Sequence, residues 1–142
     1  MPRIKIDLPE KFIFTTEIAV RITDINYGGH VGNDSILSIL QEARVQFFKS
    51  MNSSELDLFG TSVIMGDVAI VFKNESFYGD VLNIEIFVQD ISKVSFDIFY
   101  LVTEINTKKE IARAKTGMVC FDYKNRKVTA VPDSFRKILE EK

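Results

Sequence analysis

Asn33-Asp34-Ser35-Ile36-Leu37-Ser38-Ile39-Leu40-Gln41-Glu42-Ala43-Arg44-Val45-Gln46-Phe47-Phe48-Lys49-Ser50-Met51-Asn52 is the stretch around which the rest of this chain has to be arranged. Ile36, Leu40, Ala43, Phe47 and Met51 recur at steps of four and three, with Leu37 and Phe48 beside them. Gln41, Glu42, Arg44, Gln46 and Lys49 fall between. Apolar residues at that spacing predict an amphipathic helix of about 18 residues, with Asn33 or Asp34 as its N-cap and an end near Asn52.

A helix with one apolar stripe needs a partner surface, and the flanking sequence supplies strands. Upstream, Phe14, Thr16, Ile18, Val20 and Ile22 alternate with Thr15, Glu17, Ala19 and Arg21, so one strand over Phe14–Ile22 is expected, with one face buried. Downstream, strands are expected over about 62–73, 81–91, 94–105 and 110–122. The clearest are Leu82, Ile84, Ile86 and Val88, then Val94, Phe96, Ile98, Tyr100 and Val102. The short polar links after Asp90 and at Asn106-Thr107-Lys108-Lys109 read as hairpin turns, which makes neighbouring strands antiparallel. A further hairpin at Tyr123–Lys127 leads to Val128–Val131, and Pro132-Asp133-Ser134 opens a short helix carrying Phe135 and Leu139. One long helix and one antiparallel sheet bury their apolar faces against each other, an α+β arrangement in which a curved sheet wraps the helix. Residues 1–142 read as a single domain. Phe87, Phe99 and Leu101 would remain on the sheet's outer face, which predicts a homo-oligomer.

Composition narrows the function. The 18 Lys and Arg against 20 Asp and Glu give no electrostatic reason for a nucleic-acid or anionic-membrane partner. A single cysteine, Cys120, allows no internal disulfide, and with one histidine any metal site would have to be carboxylate-rich; no metal or cofactor is expected. The start MPRIKIDLPEKF does not read as a secretory leader, and no run is apolar enough to span a bilayer, so a cytoplasmic protein is expected.

Chemistry concentrates in Asp24-Ile25-Asn26-Tyr27-Gly28-Gly29-His30-Val31-Gly32-Asn33-Asp34, which holds the one histidine and runs straight into the helix. Glycines there let a ligand approach the backbone, and the N–H groups opening a helix suit an oxyanion or polarised carbonyl. Together with Gln41-Glu42-Ala43-Arg44, this loop resembles the 4-hydroxybenzoyl-CoA thioesterase-like branch of the hot-dog-fold superfamily, whose loop follows a D-x-D-x-x-G-H-V-N-N pattern. Phe77-Tyr78-Gly79-Asp80 and Ile111-Ala112-Arg113-Ala114 continue the likeness faintly. The resemblance implies a sheet wrapped around one helix, a dimer or tetramer, and hydrolysis of an acyl-CoA or acyl-carrier-protein thioester. It places Asp24 at the first acidic position and Asn26 at the second, where the branch carries its nucleophile or base; an amide cannot take that proton. Asp24 and His30 are therefore the candidate bases, with Asn26 orienting water or substrate. Tyr27, Gly28, Gly29, Val31, Asn33 and Glu42 are expected to contact substrate. Two rivals remain: a non-catalytic acyl-thioester-binding protein, and a lyase of the enoyl-CoA hydratase kind, whose D-x-N-P-x-H motif the loop meets only in part.

Overall fold

A computed structural model describes residues 3–141. The chain runs β1 (Phe14–Ala19), α1 (Asn33–Ser50), β2 (Ser62–Phe72), β3 (Val81–Gln89), β4 (Ser95–Glu104), β5 (Glu110–Asp122), β6 (Lys127–Val128) and α2 (Asp133–Glu141). The strands form one antiparallel sheet in the order β1-β3-β4-β5-β2, with β6 added on β5. This is the expected α+β hot-dog arrangement. Breaks in register at Met65/Asp67 on β2 and at Val102/Thr103 opposite β5 add local bend and twist to the sheet.

The helical stripe is the core. Ile36, Leu40, Ala43, Phe47 and Met51 are all buried, in one cluster with Leu82, Ile84 and Ile86 of β3 and Phe96, Ile98 and Val102 of β4. Truncating one such residue, Leu40→Ala for example, removes about 2–5 kcal/mol. α2 closes one end of the core by placing Phe135 against Phe96, with ring centroids 4.9 Å apart.

Four expectations need correction. Gly32, not Asn33 or Asp34, is the N-cap of α1, and it brings no side-chain hydrogen bond to the helix start. Ile22 does not continue the first strand. The chain leaves β1 at Ala19 and makes one 3-10 turn at Ile22–Asp24, stabilised because Asp24 accepts the Arg21 backbone N–H, so Ile22 is exposed. The last strand shrinks to two residues, since Thr129 and Val131 bond to Cys120 and Lys93 outside a regular ladder. Arg44, expected on the polar face, is 4% exposed. Its guanidinium donates to Glu55 at 2.9 Å and to the Tyr100 hydroxyl at 3.0 Å, and that hydroxyl pairs with Thr116 at 2.8 Å.

The sheet's outer face also differs from expectation. Residues 3–13 lie across it: Arg113 donates to the Ile6 carbonyl, Ile13 donates to Ile86, and Phe12 meets Phe87 edge to face. Phe87 is thereby buried, while Phe99 and Leu101 stay half-buried. The outer apolar residues are covered in part within one chain, so they do not by themselves demand a second copy.

Candidate active site

The loop between β1 and α1 is a miniature hairpin. Ile25 bridges Val31, the Asn26 N–H donates to the His30 carbonyl, and the Gly29 N–H closes a turn onto the Asn26 carbonyl. Gly29 sits at φ +84°, which explains the glycine there. Tyr27 projects from the tip, fully exposed. The hairpin is tied down on both sides. Gly32 donates to the Asp24 carbonyl at 3.1 Å and Val31 donates to the Ser76 carbonyl at 2.8 Å.

Ser76 belongs to the segment before β3. Because β3 runs antiparallel to β1, it must begin where β1 ends, and this brings residues 73–80 beside the loop. Asp80 closes a turn there, accepting from Ser76 Oγ and the Phe77 N–H, and its carbonyl accepts from Val20.

His30 is half-buried. Its Nδ1–H donates to the Val31 carbonyl at 3.1 Å, which leaves Nε2 as the basic nitrogen of the neutral ring. Nε2 lies 3.9 Å from Glu75 Oε1. His30, Asn33, Lys73 and Glu75 rim a cavity of about 250 Å³, and Val31, Ile36, Phe72 and Ile111 supply its apolar wall. Among the described residues the N–H groups of Asn33, Asp34 and Ser35, the first turn of α1, have no protein acceptor. These unpaired donors carry the positive end of the helix dipole beside the histidine's cavity.

Asn26 turns its side chain into the hairpin: Oδ1 accepts the Gly28 N–H at 2.9 Å. Gly28 leaves space that Asn26 and His30 share. A methyl group there would sit 3.2 Å from Asn26 Oδ1 and 3.4 Å from His30 Nε2. Asn26 and His30 therefore converge. Asp24 lies differently. It is buried, and its carboxylate is held by Arg21, with Nη2 3.1 Å from Oδ1 and the backbone N–H 2.8 Å from Oδ2. That hydrogen bond and charge raise the Arg21 pKa.

Glu42 faces another region. It accepts from Gln46 Nε2 at 2.8 Å, Gln46 in turn meets Thr16, and Glu42 and Arg21 line a separate concavity of about 450 Å³ between β1 and α1. The larger space thus lies away from His30, and the smaller one holds the groups able to move a proton. Val31 and Asn33 line the histidine's cavity; Tyr27, Gly28 and Gly29 shape the hairpin above it. Sequence reading missed Lys73, Glu75 and Ser76. The signal was available in strand direction, which puts whatever precedes β3 next to whatever follows β1. Among the described residues no group of three or more His, Cys, Asp or Glu side chains is placed to hold a metal, and no helix is long and apolar enough to cross a membrane.

A sheet wrapped around one helix is the fold of the hot-dog thioesterases. A 1,4-dihydroxy-2-naphthoyl-CoA thioesterase from Synechocystis superposes with a TM-score of 0.82 at 22% identity, over 90% of this chain and 96% of that one. A thioesterase from Thermus thermophilus, solved with coenzyme A and zinc, superposes at 0.79 with 20% identity over 94% of this chain and 96% of that one. In sequence, a protein of Aquifex aeolicus (strain VF5), provisionally named an esterase, is 25% identical over 132 residues, 92% of this chain and 98% of its own. The chain belongs to the thioesterase-like superfamily, whose model matches residues 20–139.

Proposed function

We propose that the protein is a thioester hydrolase acting on an acyl-CoA or acyl-carrier-protein thioester, with His30 as general base. The observation that carries this reading is the pairing of a free His30 Nε2 with the unbonded N–H groups of Asn33–Ser35 beside one cavity. Water gives a proton to Nε2 as its oxygen adds to the thioester carbon. The carbonyl oxygen becomes an oxyanion stabilised by the helix-start donors and by Asn26 Nδ2. Collapse breaks the C–S bond, and the imidazolium returns its proton to the leaving thiolate. Asp24 serves through Arg21 by holding the hairpin. Val31 and Asn33 contact the acyl end, and Glu42 serves the outer concavity.

The assembly proposed is a cytoplasmic homodimer or tetramer. β2 supports it: an edge strand of 11 residues, with Met65, Val68 and Phe72 each about two-fifths exposed.

The test is thiol release from short, medium, long and aromatic acyl-CoAs, before and after His30→Ala. Cys120 does not confuse a thiol reagent, since it is buried and desolvation pushes its thiol up to about 11. Loss of turnover in the variant supports the assignment, and equal turnover removes it. Binding of acyl-CoA with no thiol release by the wild-type protein points to the non-catalytic reading.

A further inference from the structure

We propose that Glu75 supplies the carboxylate that position 26 lacks, and that Glu75 and His30 grip the attacking water from two sides. This rests on the hydrolase reading above. The His30 Nδ1–H is committed to the Val31 carbonyl, so in the neutral ring Nε2 presents a lone pair. A carboxylate oxygen stands 3.9 Å from that nitrogen. Two acceptors facing each other at this distance make no direct hydrogen bond, and each needs a donor.

One water satisfies both. Placed at hydrogen-bond distance from each atom, it subtends about 90° between them, close to the angle between its own two O–H bonds. Its lone pairs then point away from the protein groups, which is the orientation an attack on a carbonyl carbon requires. When the proton moves to Nε2, the new imidazolium lies against the Glu75 carboxylate, so the same residue favours the state that follows. The oxygen adds to the thioester carbon, the C–S bond later breaks, and the proton passes from Nε2 to the departing sulfur.

Glu75 is free for this work. Its side chain is 65% exposed and makes no other hydrogen bond or ion pair among the described residues. The other charged group lining the cavity is Lys73, from the end of β2; Asn33 and Ser76 are neutral, and the start of α1 adds its positive dipole. Asn26, the neutral residue across Gly28, cannot replace the carboxylate.

Glu75→Gln keeps the shape and removes the charge. With an acyl-CoA that the wild type cleaves, kcat should fall about ten- to hundredfold while KM stays within about twofold. Glu75→Asp, which keeps the charge, should hold a larger share of the wild-type kcat than Glu75→Gln does. Melting should be unchanged. An unaltered kcat in Glu75→Gln, or equal losses in Glu75→Gln and Glu75→Asp, overturns the role of Glu75 and leaves the hydrolase reading standing. A wild type that releases no thiol from any acyl-CoA overturns both.

Discussion

Helix α1 carries two polar clusters, and they are built on opposite principles. In its second half Arg44 is sealed in the core, and every partner it meets is paired in turn: Glu55, the Tyr100 hydroxyl and, through it, Thr116. Burial pushes the Tyr100 phenol up, keeping it a neutral donor, and lowers the Arg44 pKa less than Tyr100 and Glu55 raise it. At the start of the helix three N–H groups have no protein acceptor among the described residues, and His30, Glu75 and Asn33 border one cavity. A polar group satisfied inside the protein holds the fold; one left unsatisfied at a cavity waits for something else.

Four measurements break or sharpen that contrast. Arg44→Ala should produce the largest effect, a loss of about 2–4 kcal/mol by denaturant melting, because the buried side chain leaves a cavity, Glu55 loses its cation and Tyr100 keeps only Thr116 as a partner. A variant that melts like the wild type would mean that the buried cluster contributes little. His30→Ala should do the reverse, cutting kcat about a hundredfold or more with little change in melting. Gly28→Ala should lower kcat severalfold, since the new methyl group presses on both Asn26 Oδ1 and His30 Nε2; steady-state kinetics reads it, and unchanged rates would show that the space is unused.

The smallest effect concerns Glu104, at the far end of β4. Backbone donors, Thr107 before Asn106, hold its carboxyl below the usual range. A depressed folded value gives stability that is present above the unfolded value and lost as pH falls, here from about pH 5 downward. Wild type should therefore lose more melting temperature than Glu104→Gln between neutral pH and about pH 3. Parallel losses would discard the assignment.

The fold was largely legible because its periods are strict. The four-and-three spacing from Ile36 to Met51 and the twofold alternation in Leu82–Val88 and Phe96–Val102 each admit one buried face. Arg44 reads as a surface residue from its charge, although its helix neighbours Leu40, Phe47 and Phe48 are all buried; a hydroxyl arriving from β4 and the Glu55 carboxylate make its burial tolerable. Gly32 takes the N-cap from Asn33 because backbone geometry, which leaves no side-chain signal, decides where this helix begins. At the site, the sequence marked His30 and the glycine hairpin. Glu75 stayed invisible because its importance comes from strand direction, and it lies 45 positions along the chain from its partner.

The segment 3–13, laid over Phe87, gives the middle of the molecule an upholstered back as well as a padded front. Strand β3 is thus dry towards α1 and covered at Phe87 on the reverse. Its amides should be among the last to exchange with deuterated solvent, while the Tyr27 tip, three residues from His30, should exchange among the first.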